Sequence, residues 1–196
     1  MTVQIAASVV IGYLLGAIPF GLLLTWIAGY GDVRKIGSGN IGATNVLRTG
    51  NKGLAALTVL LDVGKGVAAV LIGATWGVDA MLAAAGAVIL GHMFPVWLMF
   101  RGGKAVATAL GVLIGVAWPV ALVAGLVWLA TAVMFRYSSL AALVACVIAA
   151  AYSGFVLDGN RAALVAAVAL AIIAKHYENI RRLLSGTESR ISFTKS

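Results

Sequence analysis

The 196-residue chain is 62% hydrophobic, only 10% charged, and carries a formal net charge of +8. Its mean hydropathy of +1.07 excludes an ordinary soluble domain, and a β-barrel is excluded because its spans would read as alternating segments of ~10 residues. The lone cysteine, Cys146, excludes an internal disulfide and a multi-cysteine metal site.

Residues 1–31 hold no charged side chain, and neither do residues 105–135. Both runs exceed the ~20 residues that a helix needs to cross the hydrocarbon. The N-terminal run lacks a basic leader and is too long for a cleavable signal, so it reads as a span. Charges and breakers then cut the chain into apolar pieces at about 3–28, 54–76, 79–98, 105–117, 119–135, 139–157 and 162–178. The long run is divided at Trp118-Pro119, because proline disfavours helix at the residue before it. Trp26, Trp76, Trp97 and Trp118 fall near the ends of pieces, as an interfacial aromatic belt would.

The expected fold is therefore an all-α integral membrane protein of seven transmembrane helices. It forms one domain over 1–196, with the N-terminus outside and the C-terminus cytoplasmic. With seven crossings, the inside segments hold Arg34, Lys35, Arg48, Lys52, Arg101, Lys104, Arg136, Lys175, Arg181, Arg182, Arg190 and Lys195, which is 12 of the 14 basic residues. Only Arg161 lies outside, beside Asp79 and Asp158, and Lys65 falls within a span. Merging 105–135 into one crossing would move Arg136 and the basic tail outside, against the positive-inside rule. The net positive charge is accounted for by this bias and by an anionic ligand; no motif points to nucleic acid.

This topology gathers the polar segments on the cytoplasmic face. The first is GSGNIGATNVLRTG, residues 37–50, with Gly37, Gly39 and Gly42 at G-x-G-x-x-G spacing. It is not a dinucleotide fingerprint, because that needs a βαβ unit around it, and it lacks the Lys-Ser/Thr ending of a P-loop. Its backbone N–H groups can still form an anion-binding concavity, helped by a helix beginning within 43–48. Ser38, Asn40, Thr44 and Asn45 supply short polar groups, and Arg48 a planar fork suited to phosphate. A plain capped turn would not need so many donors.

RGGK (101–104) places two glycines between two cations, allowing close backbone approach. Arg101 reads equally well as an ordinary positive-inside residue, whereas Lys104 shares the face of the first loop. His176 and Asn179 are three apart and would share a helix face where the last piece leaves the membrane. His92 stands in GHMFPVW, but the soluble-type acyltransferase box needs an aspartate where Trp97 stands. Asp62 and Lys65 form an intramembrane i, i+3 pair, expected to neutralise each other as a structural pair or to line a path. With six carboxylates and no cluster among them, no metal site is expected.

GSGNIGATNVLRTG, GHMFPVWLMFRGGKAVAT and KHYENIRRLLSGTE resemble, in order, the three motifs of the bacterial acyl-phosphate glycerol-3-phosphate acyltransferases, the PlsY family; LDVGKG (61–66) and RYSSLAA (136–142) add to the likeness, which runs from about residue 10 to 188. The resemblance implies a multi-pass enzyme of the bacterial cytoplasmic (inner) membrane with its active site at the cytoplasmic face. It implies transfer of a fatty acyl group from a long-chain acyl phosphate to the sn-1 hydroxyl of glycerol 3-phosphate. The products are lysophosphatidic acid and phosphate, in the first step of phospholipid synthesis, with no cofactor. By the same resemblance Ser38, Arg48, Lys104, His176 and Asn179 are catalytic. It makes Gly42, Thr44, Asn45 and Ser139 substrate ligands, and the chemistry of the two glycine-containing loops adds Gly39, Asn40, Gly102 and Gly103 as binders of the phosphate and glycerol; Glu188 matches a motif position with a structural role as its alternative. The acyl tail is expected between apolar helices, along small-residue grooves such as Gly111/Gly115. The rival reading is a transporter of phosphate esters, against which stand the one-sided polar chemistry and the lack of an internal repeat.

Overall fold

The computed structural model describes residues 1–191; Lys195, counted above among the inside cations, lies outside them. The described residues form helices α1 (Thr2–Ala17), α2 (Phe20–Ile27), α3 (Ala43–Val46), α4 (Lys52–Ala74), α5 (Val78–Met93), α6 (Val106–Phe135), α7 (Ser138–Val156), α8 (Gly159–Lys175) and α9 (Tyr177–Leu184), with three short 3₁₀ turns. The first apolar piece is broken where Pro19 forces Ile18 into extended backbone (φ −67°, ψ 114°). Asn51 caps α4 by accepting from the Leu54 amide at 3.0 Å, and Asp158 caps α8 through Arg161 N at 3.0 Å.

Among the described residues, five stretches are long and apolar enough to cross a membrane: Thr2–Ile27, Lys52–Ala74, Val78–Leu98, Val106–Phe135 and Ser138–Val156. A sixth is added if α8 and α9, bent by 60°, count as one. The seven expected pieces differ from this count mainly because 105–117 and 119–135 run together as α6. An unbroken 30-residue helix would be ~45 Å long, against a hydrocarbon core of ~30 Å. The chain leaves helical geometry inside α6, at Ala117 (φ −160°, ψ 75°), one residue before the Trp118-Pro119 pair that the sequence marks as a break.

Contacts group into two compact units, 1–116 and 117–196. In the first, α1 packs along α5, and α4 lies against both. Backbones approach closely at small residues: a methyl on Gly12 would meet Ala84, on Gly16 Val88, on Gly91 Tyr13 and on Gly66 Thr108. That is how helices gain contact in lipid, where water provides no drive to bring them together. Gly111 and Gly115 belong to the same set, with Val63 and Val70 of α4 seated against them. The groove expected there for an acyl tail is thus filled by the protein's own helix. In the second unit, α7 packs on α8, and α9 contacts both. Cys146 is partly buried on α7.

Candidate functional site

In the first unit, the loop from Asp32 to Gly50 is built around one side chain. Asn45 is 1% exposed, and its Nδ2 faces the carbonyls of Val33 (2.7 Å), Ile36 (3.1 Å) and Asn40 (2.9 Å). Its Oδ1 accepts from the Ser38 amide at 3.1 Å and from Arg48 Nη1 at 3.2 Å. Asn45 therefore organises the loop from inside. Asn40 Oδ1 accepts from the Gly42 amide at 2.9 Å, closing a local turn of the kind this residue favours. Gly37 and Gly39 take positive φ (55° and 68°), and a Cβ on Gly37 would collide with the Arg48 and Asn45 side chains. Both reasons require glycine.

The loop is held down by an apolar cluster of Val33, Val46 and Ala55, with Leu22, Leu47 and Leu54 packed on it. Ser38, Gly39, Thr44 and Arg48 are exposed above that base, and Asn40 and Gly42 are half-buried. The helix expected within 43–48 is the four-residue α3 followed by a 3₁₀ turn, Leu47–Thr49. So short a helix brings little dipole, and the local charge here comes from Arg48. At the base of the loop, Arg34 forks onto Asp32 at 2.7–3.1 Å, holding that carboxyl at about 2, below its ordinary value.

RGGK follows α5. Gly102 N donates to the Met93 carbonyl at 3.2 Å and Gly103 N to the His92 carbonyl at 3.0 Å. A Cβ on Gly102 would overlap the His92 carbonyl, and one on Gly103 the His92 ring. Lys104 is half-buried.

In the second unit, His176 is not within one continuous helix with Asn179. It occupies the bend (φ −94°, ψ 9°) where α8 ends and α9 begins. It is 3% exposed, with Nδ1 2.8 Å from the Ile172 carbonyl. A carbonyl only accepts, so Nδ1 carries the proton, and in the neutral ring Nε2 is the acceptor. Asn179, 5% exposed, donates through Nδ2 to Glu188 Oε1 at 2.7 Å. The same oxygen accepts from Ser139 Oγ at 2.7 Å, while Oε2 takes Arg182 Nε at 2.7 Å. Burial would raise the Glu188 pKa, but the bonds from Ser139, Arg182 and Asn179 outweigh it and hold the carboxyl below its ordinary value.

The structure thus brings Ser38, Asn40, Gly42, Asn45 and Arg48 into one loop, and Ser139, Asn179 and Glu188 into one hydrogen-bonded group. Sequence reading counted Arg182 only as an inside cation, because its pairing with Glu188 has no local spacing signal, and set His92 aside for want of an acyltransferase box, although its ring and carbonyl underlie Gly103. Asp62 and Lys65 form the expected buried pair, at 2.7 Å.

The family model for glycerol-3-phosphate acyltransferase matches residues 6–186. A glycerol-3-phosphate acyltransferase of Mesorhizobium japonicum is 59% identical over 191 residues, covering 97% of this chain and 98% of that one. One from Brucella anthropi is 55% identical over 194 residues, covering 97% and 95%. Among solved structures, PlsY (YgiH), an integral membrane glycerol 3-phosphate acyltransferase, matches in its glycerol 3-phosphate form with a TM-score of 0.91 at 40% identity, covering 96% of each chain. Its lysophosphatidic acid form matches with a TM-score of 0.88 at 39% identity, covering 95% of this chain and 94% of that one. With its membrane-length helices, glycine-rich loop and matched length, the chain belongs to the glycerol-3-phosphate acyltransferase family.

Proposed function

We propose that the protein transfers a fatty acyl group from acyl phosphate to the sn-1 hydroxyl of glycerol 3-phosphate, releasing lysophosphatidic acid and phosphate. The observation that carries this reading is the loop of residues 37–48, which exposes Ser38, Gly39, Thr44 and Arg48 on a base fixed by Asn45. Such a surface suits phosphate, and phosphate is common to both substrates. Family membership favours acyl transfer over the transport of phosphate esters.

The chemistry asks little covalent help of the protein. Acyl phosphate is a mixed anhydride with a good leaving group. The glycerol oxygen attacks the acyl carbon, the bond from that carbon to the phosphate oxygen breaks, and the hydroxyl proton passes to a substrate phosphate. The protein orients the reactants and shields phosphate charge. Ser38, Arg48 and Lys104 carry that shielding, with the side chains of Asn40 and Thr44 as phosphate or glycerol ligands; the amides of Gly39, Gly42, Gly102 and Gly103, expected as ligands from the sequence, instead donate to the Ile36 carbonyl, Asn40 Oδ1 and the Met93 and His92 carbonyls, and these glycines serve by shaping the backbone. Asn45 serves by holding its loop. His176 orients the acceptor through Nε2, its ring fixed by the bond at Nδ1. Asn179 and Ser139 contribute as members of the Glu188 group.

The topology we propose has seven crossings, with the N-terminus outside and the polar loops at the cytoplasmic face. The charge asymmetry and the break at Ala117 support it. The whole chain acts as one acyltransferase domain of the bacterial inner membrane. A donor comparison tests the reaction. Purified protein should form lysophosphatidate from acyl phosphate and none from acyl-CoA or acyl carrier protein; the reverse preference would overturn the donor assignment.

A further inference from the structure

A buried polar chain inside the first unit is not among the groups assigned above to the substrates. Lys65 and Asp62 on α4 are 4% and 3% exposed, His92 on α5 is 4% exposed, and Thr108 at the start of α6 is 0% exposed. Lys65 Nζ lies 2.7 Å from Asp62 Oδ1, 2.8 Å from the Ile18 carbonyl and 5.5 Å from the centre of the Phe20 ring. The Ile18 carbonyl belongs to the α1 terminus broken by Pro19, where helical partners are missing. His92 Nδ1 faces Asp62 Oδ1 at 3.6 Å and Thr108 Oγ1 at 3.2 Å. The other edge of the His92 ring lies against Gly103, and the His92 carbonyl accepts the Gly103 amide.

Two features show that the connection from α5 to α6 is held in a demanding shape. Met99, Phe100 and Ala105 all take positive φ (51°, 61° and 59°) without being glycine, a conformation that persists only where the surroundings impose it. The connection is also tied to α1, through Trp97 Nε1 to the Ala17 carbonyl and Tyr13 Oη to the Phe94 carbonyl, both at 2.7 Å. A buried ion pair is a poor source of stability compared with apolar residues of the same volume. What it provides is direction: it fixes the Asp62 oxygen that His92 faces.

We propose that Lys65, Asp62, His92 and Thr108 are positioning residues for the acyl-transfer reaction. Through the His92 ring and carbonyl they set the Gly102–Gly103 backbone, and so the place of the Lys104 ammonium relative to the substrate phosphate. This rests on the reading of Lys104 as a phosphate-binding group given above.

The test compares Thr108→Val, His92→Gln and the charge-neutral double substitution Asp62→Asn/Lys65→Met with Lys104→Arg, in the full chain purified in detergent. Thr108→Val removes a single hydroxyl at nearly constant volume and keeps the comparison available if another variant fails to fold. Misplacement by ~1 Å is enough to lower kcat/KM on the order of 100-fold. The expected result is a loss of 10- to 100-fold per folded molecule, with KM rising for the same phosphate substrate as in Lys104→Arg. Combined with Lys104→Arg, the losses should be clearly less than additive. Kinetic constants within twofold of wild type in folded variants, or full additivity, would overturn the proposal. Site-resolved amine acetylation without substrate gives a second readout. The Lys104 rate should change several-fold in the variants while that of Lys35 does not, and an unchanged Lys104 rate counts against the proposal. That readout stands even if wild-type protein shows no acyl transfer, an outcome that would instead remove the proposed reaction.

Discussion

Ser139 Oγ and Asn179 Nδ2 donate to the same oxygen of Glu188, each at 2.7 Å. A residue at the head of α7 and one on α9 are thereby joined through a carboxylate that the sequence ranks only as a marginal position. Arg182 occupies the other oxygen at 2.7 Å. Glu188→Ala leaves three donors without their acceptor, which costs about 1–3 kcal/mol for each group that water cannot reach. The expected outcome is a lowered melting temperature and an activity loss per folded molecule as large as that of Asn179→Ala, read by thermal unfolding and turnover on one preparation.

The pH dependence of that group has a definite sign. Glu188 is held below its ordinary pKa in the folded chain, so its stabilising contribution is complete above the ordinary glutamate value of ~4.3 and is lost as pH falls through the depressed folded value. The melting temperature of wild type should exceed that of Glu188→Gln near neutral pH, and the gap should close in acid, below ~4.3. A gap that widens on acidification would contradict the assignment.

Asn45→Asp tests the base of the glycine-rich loop. The change keeps Oδ1 but turns the group facing three carbonyls into an acceptor, at a position only 1% exposed. It should abolish turnover and lower stability by about 2 kcal/mol or more. Thr44→Ala, at an exposed position of the same loop, should leave stability nearly unchanged and alter substrate KM. Thermal unfolding and steady-state kinetics separate the two effects.

The helix contacts were partly legible in advance. Proline marked the break at Ala117, since a fixed ring and a missing N–H act locally, whereas the break at Ile18 fell inside a piece read as continuous from 3 to 28. The polar loops stood out because lipid tolerates no such run of donors unless they have work at the surface. What could not be read was long-range. Nothing in LDVGKG says that Lys65 reaches the Ile18 carbonyl, 47 residues away, or that Asp62 faces His92. Glu188 and Arg182 look like ordinary charges of a basic tail. Gly111 and Gly115 looked like a groove for an acyl chain, because a small-residue stripe reads alike whether lipid or another helix fills it. Gly111→Leu should accordingly disrupt packing against Val63, lowering stability by about 1–3 kcal/mol rather than shortening the preferred acyl chain. Unfolding and a chain-length series on that variant distinguish the two.

The seven-crossing topology makes its own prediction at the break in α6. In a Cys146→Ala background, Trp118→Cys and Asn160→Cys should react with an impermeant thiol reagent from outside the cell. Ser185→Cys should react only after the membrane is opened. Trp118 is 67% exposed; a cysteine there shielded from both sides would mean that Val106–Phe135 crosses as one helix.

The reaction proposed for this protein is acyl transfer from acyl phosphate to glycerol 3-phosphate by orientation and charge shielding. The most direct measurement follows inorganic phosphate and lysophosphatidate together, on purified protein given both substrates with EDTA present and no coenzyme A or carrier protein. The expected result is equal formation of the two products, with both abolished in Arg48→Ala and in Lys104→Ala proteins that still fold. Phosphate without lysophosphatidate, or undiminished turnover in either variant, would contradict it.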